Sequence, residues 1–139
     1  MLARTYAFTP FGVEAQLVEV EVDLRRTGQE AFTLIVGLPD AAVKESKERL
    51  ESALRNAGYD FPRQRVLVNL APADIKKQGP VFDVAMAIAV LIASQQIAAP
   101  SNNDVAFLGE LALDGSIRPV RGALAAALAA RAAGIRRLL

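Results

Sequence analysis

The stretch Lys76–Leu91, KKQGPVFDVAMAIAVL, decides how this chain is read. A Gly79-Pro80 pair leads into an apolar run in which Asp83 is the only charge. A turn of this kind followed by a helix from about Val81 to Ser94 is the layout of a strand-to-helix junction that can present a nucleophile. A helix apolar on every side must be covered on every side, so this segment is expected to be the central helix of the domain.

Outward from that helix the pattern alternates between strand and helix signals. ARTYAF (Ala3–Phe8) and GVEAQLVEVEVDL (Gly12–Leu24) read as two strands around the turn Thr9-Pro10-Phe11-Gly12. In the second strand the apolar phase shifts between Leu17 and Val18, which a bulge would explain. AFTLIVG (Ala31–Gly37) is a third strand, expected to be buried because it is uniformly apolar. Leu38–Asp60 reads as one amphipathic helix, capped by Asp40, with Val43, Leu50, Leu54 and Ala57 on one face and Gly58 as its stop. RVLVNL is a short strand, and VAFLGEL (Val105–Leu111) is another. ALDGSIRPV suggests a hairpin with Asp114-Gly115 in a type I′ turn. An Ala-rich helix follows, and IRRLL reads as the first residues of a further strand, so the ending looks like a fragment of a longer protein. The order βββ-α-β-α-ββ-α-β over residues 1–139 means an α+β domain, a mixed sheet with helices packed on it.

Composition excludes several chemistries. The chain is 53% hydrophobic and 22% charged with a net charge of +1, which describes a globular protein. The first 60 residues are net acidic and the rest net basic. With no cysteine and no histidine, disulfides, thiolate catalysis, Cys/His zinc sites and Ser-His-Asp triads are ruled out, and no metal site is expected. None of the 9 glycines is followed by lysine, so no phosphate-cradling P-loop is visible. No apolar run is long enough to cross a bilayer, and the N-terminus does not read as a signal peptide; a cytosolic protein is expected.

Two groups of polar residues remain. Asp74 and Asp83 flank the Gly79-Pro80 turn as a carboxylate pair, with Glu110 at a strand end as the only other interior-looking acid, but Asp83 at a helix start is explained as well by the helix macrodipole or a cap. Arg63, Arg65, Lys76 and Lys77 bracket one short strand, and Arg118 and Arg121 lie on the later hairpin. Together they suggest a phosphate-binding patch, against the plainer reading of solvated charges that keep a sheet edge from aggregating.

From Lys76 onward the chain resembles the proteolytic domain of Lon protease, a family with Gly-Pro-Ser-Ala-Gly at its nucleophile, a Thr-Gly-Glu-Ile-Thr hairpin and Pro-Ile-Gly-Gly-Leu-Lys at its catalytic lysine. Gly79-Pro80, Leu108-Gly109-Glu110-Leu111 and Pro119–Leu124 match these in turn. The nucleophile position is therefore Val81 and the lysine position Leu124. Neither side chain can serve a Ser-Lys dyad, which needs a hydroxyl and a desolvated amine, and the resemblance implies that both plug the former pocket. Ser94, Ser101 and Ser116 have no basic partner at matching spacing.

A closer resemblance covers essentially the whole chain. Gly37-Leu38-Pro39-Asp40, Val43-Lys44-Glu45-Ser46, Val68–Asp74 and Lys77-Gln78-Gly79-Pro80 occur in the order found at the N-terminus of the ComM/YifB family of magnesium-chelatase-like AAA+ ATPases. It implies the fold shared by Lon and the second domain of a small-subunit ribosomal protein, with a left-handed βαβ unit. It further implies a non-catalytic domain of a bacterial, cytoplasmic DNA branch-migration helicase active in recombination and natural transformation. On this reading the ATPase module, absent from these residues, binds ATP and Mg, and no cofactor belongs to residues 1–139. The partners are then that module, neighbouring subunits of a ring, and DNA, with Arg63, Arg65, Lys76 and Lys77 as the DNA-contact candidates. A DNA-binding module in its own right and a Lon-like peptidase with a rearranged nucleophile are the alternatives.

Overall fold

The computed structural model describes residues 1–139. Strands β1 (Leu2–Phe11) and β2 (Glu14–Arg25) form a long antiparallel hairpin. The two-residue turn Gly12-Val13 has φ +63° at Gly12, as the first position of a type II′ turn requires. Next come β3 (Thr33–Val36), helices α1 (Ala41–Lys44) and α2 (Ser46–Asn56), and β4 (Arg65–Ala71). The four strands form one mixed sheet in the order β1-β2-β4-β3, with β4 antiparallel to β2 and parallel to β3. A 3-10 turn (Pro80–Phe82) leads into α3 (Asp83–Ala93). Short strands β5 (Val105–Ala106), β6 (Glu110–Leu111) and β7 (Ile117–Arg118), helix α4 (Ala123–Ala132) and β8 (Arg137–Leu138) complete the chain. This is the α+β architecture expected, with β8 lying parallel to β5.

The central helix is where the sequence put it. All of α3 except Ile88 and Ile92 is buried. It lies on the sheet face formed by Ala3, Thr5, Ala7 and Thr9 of β1 and Val18, Val20, Val22 and Leu24 of β2, all buried. Small side chains on both sides let the helix come close. The Thr5 hydroxyl donates to the Ala85 carbonyl at 2.8 Å, which satisfies a polar group inside an otherwise apolar contact.

Several expectations need correction. The β1–β2 register runs without a bulge from Leu2↔Asp23 to Phe11↔Glu14. The phase shift at Leu17 instead marks a change of cover. Val18 onward faces α3, whereas Ala15 and Leu17 face the opposite side and pack with Phe8, Ala126 and Ala130 under α4. Strand β3 is an edge strand in which only Ile35 is buried and Leu34 is exposed, because a uniformly apolar edge still has one open face. The helix expected over Leu38–Asp60 divides at Glu45, where the Glu48 N–H turns back to the Glu45 carbonyl, and Ala57 is exposed. VAFLGEL is split into β5 and β6 at Gly109. A Cβ there would lie 2.6 Å from Val84 Cγ2, so only glycine allows the start of α3 to pack so close. The β6–β7 loop has Gly115 at φ +91°, while Asp114 keeps a negative φ. The Gly115 N–H bonds the Ala112 carbonyl, so this is a three-residue loop and not a type I′ turn.

Asp83 does more than the sequence reading allowed. It lies in the first turn of α3, as a macrodipole partner would, but it is 0% exposed and its oxygens go to other elements. Oδ1 accepts from Ser46 Oγ at 2.5 Å and from Arg49 Nη2 at 3.0 Å. Oδ2 accepts from Arg49 Nε at 2.7 Å and from the Leu111 N–H at 3.0 Å. Arg49 also donates to the Ala42 carbonyl at 3.2 Å. The hydrogen bond to Asp83 raises the Arg49 pKa above its ordinary value. One carboxylate thus joins α2, α3 and β6, and through Arg49 also α1.

The loop between β4 and the 3-10 turn is held by consecutive N–H groups. That of Lys77 bonds the Leu38 carbonyl at 3.0 Å, that of Gln78 the Thr9 hydroxyl at 3.2 Å, and that of Gly79 the Asp40 carboxylate at 3.1 Å. Asp40 also caps α1, as expected, by accepting from the Val43 N–H at 2.8 Å. The Lys77 side chain is fully buried and its Nζ donates to the Pro72 carbonyl. Burial lowers its pKa, with Asp74 opposing the shift.

Removing one partner from the buried pair leaves the other uncompensated. Asp83→Ala is therefore expected to lower the unfolding free energy by about 3–5 kcal/mol. Glu51→Ala, which breaks only the exposed Glu51–Arg55 pair, is expected to cost under about 1 kcal/mol. Urea titrations of both variants check this, and equal losses would count against a central role for Asp83.

Lys77 makes stability depend on alkaline pH. Its folded-state pKa lies below the ordinary 10.5, so between the two values the unfolded chain binds more protons. The penalty of burying the charge is complete below that window and disappears as pH rises through it. Wild type is expected to gain stability relative to Lys77→Met as pH is raised from about 7 to about 10, measured by urea unfolding at each pH.

Candidate functional site

The loop pinned by Lys77, Gln78 and Gly79 forms one wall of a cleft of about 500 Å³. The tip of the β1–β2 hairpin, residues 8–15, forms the second wall, and Pro119–Gly122 with the first turns of α4 the third. Val81 lies at the base, buried, with its carbonyl accepting from the Gly109 N–H at 3.1 Å. The strand-to-helix junction read from Lys76–Leu91 is therefore a real concavity.

Its lining contains little that reacts. Thr9 carries the only hydroxyl among the lining residues; it is fully buried and accepts from the Gln78 N–H. The lining has no lysine. Its ionisable members are Glu14, Glu110 and Arg121. Leu124 does not plug the pocket, contrary to the expectation drawn from the resemblance. It is 76% exposed, and α4 presents Ala125 and Ala126 to the cleft instead. Only Val81 of the two aliphatic positions fills the space.

The carboxylate pair does not form a reaction centre either. Every acceptor direction of Asp83 is taken by Ser46, Arg49 and Leu111, whereas Asp74 is exposed. Of the serines considered, Ser94 bonds back to the Val90 carbonyl, Ser116 bonds Asp114, and Ser101 is exposed.

The four basic candidates are not brought together. Arg63 and Arg65 lie at the start of β4 and Lys76 lies past its end, and a seven-residue strand spans about 20 Å. Lys77 is withdrawn from solvent and cannot reach a phosphate. At the start of β4, Arg65 stands opposite Arg25 and its guanidinium lies 5.9 Å from the Phe32 ring centroid. Arg121 lines the cleft, and Arg118 pairs with Glu110 in the β6–β7 register.

Sequence reasoning missed Ser46, Arg49 and Thr9. The first two were detectable: both stand among the apolar positions of α2, where a polar side chain needs a buried partner. Thr9 gave no such signal, because alternation alone does not say which strand residue meets the loop.

The model of the family "Subunit ChlI of Mg-chelatase" matches residues 20–139. The chain is 47% identical over 130 residues to competence protein ComM of Haemophilus influenzae, covering 94% of this chain and 25% of that protein. It is 42% identical over 133 residues to the uncharacterized protein YifB of Escherichia coli, covering 96% and 26%. Lon protease 2 of Thermus thermophilus is 29% identical over 138 residues, covering 95% and 16%. The chain thus spans about a quarter of the length of ComM and YifB. No helix is long and apolar enough to cross a membrane. With the family model matched over residues 20–139 and with ComM and YifB matched over nearly all its residues, the chain belongs to the Mg-chelatase subunit ChlI family, as a Lon-like domain of the ComM/YifB type.

Proposed function

We propose that this chain is a non-catalytic domain of a ComM/YifB-like AAA+ ATPase, a DNA branch-migration helicase of recombination and natural transformation, and that it serves ring assembly. The observation that carries this is the lining of the cleft: an aliphatic Val81 at the nucleophile position, one buried hydroxyl at Thr9, and no amine. A Ser-Lys type acyl transfer needs both groups within hydrogen-bond reach of each other. A peptidase with a rearranged nucleophile would need the same pair from other residues of the lining, which does not hold it. ATP and Mg belong to a module outside these residues, since no glycine here is followed by lysine. The partners are that module and adjacent subunits in the cytoplasm of a bacterium.

A second reading, DNA contact, is favoured by one feature. Arg25 and Arg65 stand directly opposite each other with Arg63 exposed beside them, and only Arg25 has a carboxylate partner, Asp23 at 2.8 Å, so an anionic partner would find Arg63 and Arg65 without one. Lys76, at the far end of β4, is not part of that cluster.

Purified residues 1–139 are expected to hydrolyse neither ATP nor casein. Turnover that survives a control for contaminating protease or ATPase would overturn the non-catalytic reading. For DNA contact, duplex affinity by fluorescence anisotropy is expected to fall steeply with salt. The slope of log affinity against log salt should shrink by about 2 in the Arg63→Ala, Arg65→Ala double variant. Salt-insensitive binding, or none, leaves assembly alone.

A further inference from the structure

Strand β2 is longer than its second neighbour. Its pairing with β4 begins at Glu19↔Ala71, while its pairing with β1 continues to Glu14↔Phe11. Residues 14–18 therefore have β1 on one side and no strand on the other, and none of their backbone groups takes part in a hydrogen bond outside the strand ladders. Ala15 stands opposite Pro10, which has no N–H, so this is a pair that exchanges no hydrogen bonds across the hairpin. Alternation then turns the N–H and C=O of both Ala15 and Leu17 outward, to the open edge.

That edge borders a groove of about 530 Å³ between β2 and α4, floored by Ala125, Ala129, Ala132 and Ala133 with Leu128 at its side. Leu128 is 60% exposed, and α4 buries only Ala126 and Ala130. The groove shares Val13, Glu14, Ala15 and Ala125 with the cleft at Val81, so the two adjoin at the hairpin tip as the two arms of a trough. An apolar surface alone does not specify its occupant. Two outward donors and two outward acceptors at strand spacing do: they match an extended backbone, while the alanine floor leaves room for every second side chain to be apolar.

We infer that the trough binds an extended, apolar-alternating peptide segment of another polypeptide, which adds as a strand to β2 at Ala15 and Leu17. This goes beyond the assembly role proposed above. Because Val81 and Thr9 offer no attack on a carbonyl, the segment is held and not cut.

The test uses a fluorescein-labelled heptapeptide alternating valine and threonine, flanked by lysines for solubility, with anisotropy as the readout. Two further peptides carry N-methyl groups on alternate amides, one set on each edge of the strand. One N-methylated set is expected to bind about tenfold or more weakly and the other nearly as well as the parent. Ala15→Pro removes an outward donor without touching the ladder to β1, and Leu128→Glu places a charge in the groove; each is expected to lose about tenfold. Circular dichroism shows whether these variants fold, and the N-methylated peptides test the backbone pairing on the unaltered chain. Equal binding of both N-methylated sets, or no binding of the parent peptide, overturns the inference. So does a self-associated chain, by sedimentation, that Ala15→Pro dissociates and the peptide does not, because the occupant is then a second copy. Mass spectrometry after incubation separates this inference from the proposed function: cleaved peptide would refute the non-catalytic reading while leaving the binding site in place.

Discussion

The buried carboxylate of Asp83 is the constraint on which the arrangement depends. An ionised group at 0% exposure is tolerated only when its acceptor directions are filled, and here four donor contacts come from α2 and β6. The geometry is mutual. Arg49, 17% exposed, reaches Asp83 only if α2 lies along α3, and the Leu111 N–H reaches it only if the chain turns at Gly109. Because Asp83 opens α3, fixing it also fixes the 3-10 turn before it and hence Val81. The floor of the cleft is set by an ion pair that the cleft itself does not contain.

Much of the fold was legible because periodicity reports which faces are covered. Residues 84–93 read as an all-round apolar helix and are the buried α3, and the alternation from Val18 to Leu24 is the face that α3 covers. The errors share one cause. A run of apolar residues tells how many faces are covered but not by what: Leu17 was assigned to a bulge when a second helix lay beyond it, and β3 was assigned to the interior when it forms an edge. Turn chemistry failed at Asp114-Gly115 because the dipeptide suits a two-residue loop as well as a three-residue one, and the choice rests on where Ala112 and Ser116 pair.

The site was legible in part for a related reason. The Gly79-Pro80 motif pointed to a concave junction beside Val81, and a cleft is there. Motifs could not say that Leu124 points away from it, because side-chain direction on α4 follows from how Ala126 and Ala130 seat the helix on β2. Nor could residue type separate Lys76 from Lys77. The two are adjacent in sequence, but the bridge between Pro39 and Lys77 draws one inward and leaves the other in solvent. A basic pair on paper becomes one surface charge and one internal anchor.

The shape of the cleft does not depend on the side chain at Val81, since its supports are other residues. The walls are held by backbone N–H groups of Lys77, Gln78 and Gly79 and by the carboxylates of Asp40 and Asp83, none of which belongs to a Ser-Lys dyad. None of these supports is a contact of the Val81 side chain. The open edge of β2 depends on still another feature, the early end of β4 at Ala71, after which the chain turns to Pro72 and receives the Lys77 ammonium at the Pro72 carbonyl. Lengthening β4 to cover Glu14–Val18 would displace that loop and the anchor with it. The unpaired strand segment and the pinned loop are thus two consequences of one turn in the backbone.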